Sequence, residues 1–173
     1  MEGDDTVWTI GHSTRSMSEF LALLKHYSIE LLVDVRSLPG SRKFPQFNKE
    51  NLEVELPRNG IAYQHLLGLG GRRRVQKDSE NTAWRNASFQ AYADYMETDE
   101  FKAALNQLKT FSRAQHTCIM CSEAVWWRCH RSMISDALKV EGWKVMHILS
   151  MTKIQEHPYT SPATIQNGKL FYS

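Results

Sequence analysis

Ile29-Glu30-Leu31-Leu32-Val33-Asp34-Val35-Arg36 is the stretch that decides the fold. It is almost continuously apolar, interrupted near its end by Asp34 and closed by Arg36. A strand wetted on one side alternates apolar and polar residues. A run apolar on both faces instead predicts a central parallel strand covered by helices on each side. Upstream, residues 6–10 are β-prone and run into the polar loop Gly11-His12-Ser13-Thr14-Arg15. Ser16 precedes Glu19 by the spacing of a capping box, and Met17, Phe20, Leu21, Leu24 and Tyr27 recur at helical spacing. Strand, helix and buried strand make a βαβ unit.

The pattern returns downstream: Thr117–Cys121 reads as a buried strand, Arg131–Val140 as a helix and 143–149 as another strand, with Gly142 at the helix stop. Between the two units lie an element at 48–56 and two helices, at about 87–96 and 100–111, for which Asn86 and Asp99 are the expected N-caps. Residues 37–48 and 68–86, rich in Pro and Gly, read as loops that form a cleft. The segment 157–173, with Pro158, Pro162 and the turn pair Asn167-Gly168, reads as a C-terminal extension ending in a hairpin or an edge strand. The expected architecture over 1–173 is a single α/β domain, a three-layer sandwich with a mostly parallel, Rossmann-like sheet.

Composition narrows the classes. At 173 residues, 42% hydrophobic and 23% charged, the chain suits one globular domain and excludes a disordered or fibrous protein. Lys+Arg at 21 against Asp+Glu at 19 leaves a formal charge of +2, so attraction for an anionic partner has to come from local clusters. Three cysteines make no disulfide framework. No stretch approaches the roughly 20 apolar residues of a membrane span, and the acidic start at 1–6 is no secretion signal. The expectation is a cytoplasmic protein with no membrane partner.

In an open parallel sheet, ligands bind beyond the carboxyl ends of the strands. Those ends are Gly11-His12-Ser13-Thr14-Arg15, Asp34-Val35-Arg36-Ser37 and Cys121-Ser122-Glu123, each polar where the strand bodies are not. The pieces Thr9-Ile10-Gly11-His12-Ser13, Asp34-Val35-Arg36, Leu69-Gly70-Gly71, Cys121-Ser122-Glu123, Cys129-His130-Arg131 and His147-Ile148 appear in an order that resembles the family called domain of unknown function number 488. The resemblance spans nearly the whole chain. It implies an α/β domain with a polar cleft, and it implies no particular reaction.

Glu123 and Asp34 are the carboxylates expected to act as general acid or base, with His12 beside them. The alternative for Asp34 is a tie to Arg36 or Arg131. Cys121 at a strand-to-helix turn invites a nucleophile reading. A tyrosine-phosphatase loop, however, requires an Arg six positions later, where this chain has Trp127, and the interval lacks glycine. A zinc reading draws on Cys118, Cys121, Cys129 and His130, but a strand sends Cys118 and Cys121 to opposite faces. The metal alternative is therefore Cys121, Cys129 and His130, while the main reading uses no metal and no cofactor.

Basic and aromatic residues cluster three times. One cluster holds Arg42, Lys43, Phe44, Phe47 and Asn48, a second Arg72, Arg73, Arg74, Lys77, Trp84 and Arg85, and a third Trp126, Trp127, Arg128 and Arg131. Cations neutralise phosphates and flat rings stack on bases. Gly70 and Gly71 bring backbone N–H groups near an anion. With Ser13, Arg36, Arg42, Phe47, Arg72, Trp127, His130 and Arg131, they make up the expected substrate contacts. The functional expectation is a DNA-, RNA- or nucleotide-binding hydrolase of glycosylase type, as in DNA repair. The alternatives are a non-catalytic module for a small anionic ligand and a Cys/His metal-binding protein.

Overall fold

The computed structural model describes residues 5–173, so the first four residues of the acidic start lie outside the described residues. Along the chain run β1 (Thr6–Gly11), α1 (Met17–His26), β2 (Leu31–Asp34), α2 (Lys49–Arg58), β3 (Ala62–His65), α3 (Ala87–Tyr95) and α4 (Asp99–Ala114). There follow β4 (Thr117–Cys121), α5 (Arg131–Val140), β5 (Lys144–Ile148), β6 (Ile154–Glu156), β7 (Thr164–Gln166) and β8 (Lys169–Phe171). The main sheet has the order β3-β2-β4-β1-β5-β6, and every neighbouring pair is parallel except β5 with β6.

Strand alternation sorts the core into two layers. Leu31, Val33, Val35, Ile119 and Cys121 face α3, α4 and α5, through residues such as Tyr92, Phe101, Leu108, Met133 and Ile134. Leu32, Cys118 and Met120 face α1 and α2, through Phe20, Leu24, Leu52 and Leu56. All four residues of β2 are buried, as a strand covered on both sides requires. The result is the expected single-domain, three-layer α/β sandwich. Cys118 and Cys121 do lie on opposite faces of the sheet.

Local signals mostly hold. Ser16 and Glu19 form a complete capping box, and Asn86 caps α3 by accepting from Ser88 and Phe89. The cap of α4 is Thr98 rather than Asp99, which sits in the first turn. Thr98 Oγ1 accepts from the N–H of Phe101, and the carboxylates of Asp99 and Glu100 then face the positive helix end. The edge strand β3, Ala-Tyr-Gln-His, has no apolar run because half of it faces water. Asn167 and Gly168, both at positive φ, turn β7 into β8 as a separate hairpin. Among the described residues no helix is long and apolar enough to cross a membrane.

Candidate functional site

The carboxyl ends of β1 and β4 are joined past the last strand residues. His12 N–H donates to the Cys121 carbonyl at 2.9 Å, and Ser13 N–H to the Ser122 carbonyl at 2.9 Å. A Cβ on Gly11 would lie 1.6 Å from the Glu123 carbonyl oxygen, so only glycine permits this approach. His12, Ser13, Ser122 and Glu123 are thereby fixed side by side.

At the end of β2, Asp34 is completely buried and grips Arg36 in a two-pronged pair, Nε to Oδ1 at 2.9 Å and Nη2 to Oδ2 at 2.7 Å. Arg36 N–H and Tyr63 O–H also donate to this carboxylate, at 3.1 and 2.6 Å. Burial, then the Asp34 charge, pushes the Tyr63 phenol far up. Arg36 Nη2 further donates to the Phe47 carbonyl at 2.7 Å. Asp34 is thus occupied in holding Arg36, the tie expected as its alternative role.

His12 stacks on Phe47 at 4.3 Å between ring centroids. Its Nδ1 lies 2.9 Å from the Ser13 carbonyl, which can only accept, so the ring proton sits on Nδ1. The lone pair on Nε2 then faces Arg36 Nη1 at 3.4 Å. Burial, reinforced by the Arg36 charge, lowers the His12 pKa to about 4. At neutral pH His12 is an uncharged acceptor beside Arg36 and has no second N–H to give to a ligand.

Two lobes of one cleft open above this floor. The first, about 310 Å³, is lined by Arg36, Gly71, Arg72, Phe89, Cys121, Glu123, Arg128, Cys129 and His130. The second, about 480 Å³, is lined by His12, Ser13, Thr14, Arg36, Lys43, Phe44 and Glu123. Arg36, Ser122 and Glu123 belong to both. Glu123 therefore stands where the lobes meet, exposed, and its carboxylate makes no hydrogen bond or ion pair with another described residue.

The expected site residues separate into wall and support. His12, Ser13, Arg36, Gly71, Arg72, Glu123 and His130 line the cleft. Gly70 lies beneath, where a Cβ would meet Ser37 Oγ at 2.6 Å, and Phe47 lies under His12. Arg131 is fully buried and holds the loop after β4 from below, donating from Nη2 to the carbonyls of Glu123 and Ala124 at 3.1 and 3.2 Å. Arg42 and the half-exposed Trp127 line neither lobe. Of the three consecutive arginines, Arg73 is folded back 3.5 Å from the Tyr95 ring centroid, and only Arg72 reaches the cleft. Cys121, Cys129 and His130 share the first lobe, yet no group of three or more His, Cys, Asp or Glu among the described residues is disposed to hold a metal ion.

A second polar cluster, which sequence reasoning missed, lies beneath β5. Thr9 Oγ1 contacts His147 Nδ1 at 2.5 Å, His147 Nε2 contacts His157 Nδ1 at 2.8 Å, and His157 Nε2 contacts Asp136 Oδ1 at 2.8 Å. Asp136 also accepts from the backbone and hydroxyl of Thr160 and from the Tyr172 hydroxyl. The four partners come from β1, β5, α5 and the C-terminal segment, with no shared spacing to reveal them.

A family model described as domain of unknown function DUF488 matches residues 16–138. That span contains Asp34-Val35-Arg36 and the stretch from Cys121 to Arg131, whereas the Thr9–Ser13 and His147-Ile148 pieces lie outside it. No curated protein and no solved structure matches the chain.

Proposed function

The chain belongs to the DUF488 family, and from that premise we propose that its cleft binds a nucleotide or nucleic-acid substrate and that Glu123 serves as the general base for hydrolysis of a base–sugar bond. The observation that carries this reading is the position of Glu123 at the junction of the two lobes, unpaired and flanked by Lys43, Arg72 and Arg128. Phe44 stands in one lobe and Phe89 in the other, so each side offers a ring as well as a cation. In this reaction Glu123 takes a proton from water as its oxygen bonds to the sugar C1′, and the C1′–N bond breaks with its electrons passing to the base. The arginines hold the phosphates, and Arg36, fixed by Asp34, presents positive charge on the floor. Asp34 and His12 act by positioning Arg36. Three free thiols are in keeping with a reducing compartment such as the cytoplasm.

Glu123→Gln preserves shape, so oligonucleotide affinity and fold should survive while base release falls by about 100-fold. Chromatography of bases released from oligonucleotides carrying modified or damaged bases, with binding measured in parallel, checks this. Full activity in Glu123→Gln would remove the general-base role. Tight binding with no release by the wild type would favour the non-catalytic module, a reading supported by the lack of a second unpaired carboxylate among the described residues that line the lobes.

A further inference from the structure

The first lobe also holds two of the three thiols of the chain, Cys121 and Cys129, while Cys118 packs in the core on the other face of the sheet. Cys129 Sγ accepts the N–H of Arg131 at 3.5 Å in the first turn of α5, where the helix end favours negative charge. His130 Nε2 lies 2.8 Å from the Val35 carbonyl, which can only accept, so the proton of the neutral ring is on Nε2. Its Nδ1 lone pair faces Cys129 Sγ at 3.6 Å, placed to take the thiol proton. The Cys121 thiol, whose Sγ lies 3.8 Å from the Glu123 carbonyl oxygen, is an electrostatic neighbour of the Cys129 sulfur.

Arg131 supplies an independent observation. Its guanidinium is completely buried, Nη2 meets only carbonyls, and Nε and Nη1 have no hydrogen-bond partner. No carboxylate among the described residues forms an ion pair with it. A buried cation without a counter-charge is costly, and a thiolate on Cys129 provides one. Burial pushes the Cys129 thiol up, but the neighbouring Cys121 thiol, the charge of Arg131 and the Arg131 N–H outweigh burial and leave it below the ordinary thiol range. For Cys118 and Cys121 burial wins over the same Arg131 charge and pushes both thiols up.

We propose that Cys129 and Cys121 form a redox-active pair that reduces small hydroperoxides entering the first lobe, with Cys129 as the attacking thiolate and Cys121 as the thiol that resolves it. The Cys129 sulfur bonds to the terminal peroxide oxygen, the O–O bond breaks, and the departing alkoxide takes a proton to leave as an alcohol, or as water from hydrogen peroxide. Cys129 is then a sulfenic acid. The Cys121 sulfur displaces its hydroxyl, the S–S bond forms, and the hydroxyl leaves as water with the Cys121 proton. The protein loses two electrons and the peroxide gains them. Cys129 is 6% and Cys121 2% exposed, an opening suited to a small oxidant rather than to a protein disulfide. This pair does not depend on the hydrolytic role of Glu123.

The test treats the whole reduced protein with hydrogen peroxide and maps its thiols by mass spectrometry. The expected product has lost two hydrogens, links Cys121 to Cys129, and leaves Cys118 free. In Cys121→Ser, dimedone should trap a sulfenic acid on Cys129. In Cys129→Ser, oxidation of Cys121 should slow by at least about 10-fold. Circular dichroism establishes that each variant is folded. If either variant unfolds, the wild-type thiol map decides alone. Oxidation of Cys118 as fast as Cys129, or a folded wild type that forms no Cys121–Cys129 disulfide, overturns the proposal.

Discussion

The rim where β1, β2 and β4 end and the cluster beneath β5 are both polar, and they differ in how completely their groups are bonded. Beneath β5, His147, His157 and Asp136 are fully buried and each makes hydrogen bonds within the cluster. On the rim, Asp34 is equally satisfied, but the Glu123 carboxylate stands free of such bonds and two nitrogens of Arg131 below it are unpaired. A closed network fixes segments to one another, here tying the C-terminal segment to α5 and β5. A network with open valences on a cleft wall is what a ligand or a reaction can complete. Polarity alone therefore does not mark a site; unsatisfied polarity next to a cavity does.

The largest expected effect falls on the closed cluster. Asp136→Ala strips the acceptor from His157, Thr160 and Tyr172, and urea unfolding should show a loss of about 4 kcal/mol. A stable Asp136→Ala protein that no longer binds ligand would break the comparison by moving function to that cluster. Gly11→Ala should cost about 3 kcal/mol in the same assay, because the new Cβ must part the loops after β1 and β4.

Acid sharpens the contrast further. Burial, aided by the charges of His157 and Arg131, holds the His147 pKa at about 2, and burial holds that of His12 at about 4. Unfolded, both rings titrate near about 6.5. The stability they contribute is complete above that pH and is lost as pH falls, since the unfolded chain then binds protons that the folded one refuses. Around pH 5 each ring should contribute a slope of about 1.4 kcal/mol per pH unit, and burial of His130 adds in the same direction. His12→Gln should remove one such increment from the measured slope and leave that of His147. The smallest effect separates neighbouring arginines. Arg72→Ala should reduce the salt slope of duplex DNA binding by up to about 0.9, whereas Arg73→Ala should leave that slope unchanged. An unchanged slope in Arg72→Ala would mean that Arg72 faces only solvent.

Much of the fold was legible because one physical rule dominated it. The nearly continuous apolar run at β2 reports burial on both faces, and Ser16 with Glu19 reports a helix start through purely local chemistry. β3 was not legible because a half-wet edge strand of Ala, Tyr, Gln and His carries no comparable pattern. Site legibility followed the same division. The strand-end rule leads to His12, Arg36 and Glu123, which do share one cleft. It does not distinguish wall from support, because the saturation of Asp34 depends on Tyr63, nearly thirty positions away, and the folding back of Arg73 depends on Tyr95. The chain from Thr9 to Asp136 joins residues that only the folded topology brings together.

The two backbone bonds that continue the β1–β4 ladder through His12 and Ser13 bear on the entropy of association. The floor of the cleft is ordered before any ligand arrives, so its loops contribute little to the freedom lost on binding. That loss falls on the long side chains of Lys43, Arg72 and Arg128, at about 0.5–1.5 kcal/mol for each one immobilised. A ligand that leaves one of these cations free avoids that increment, so affinity across a ligand series should track how many of the three become fixed rather than the area covered.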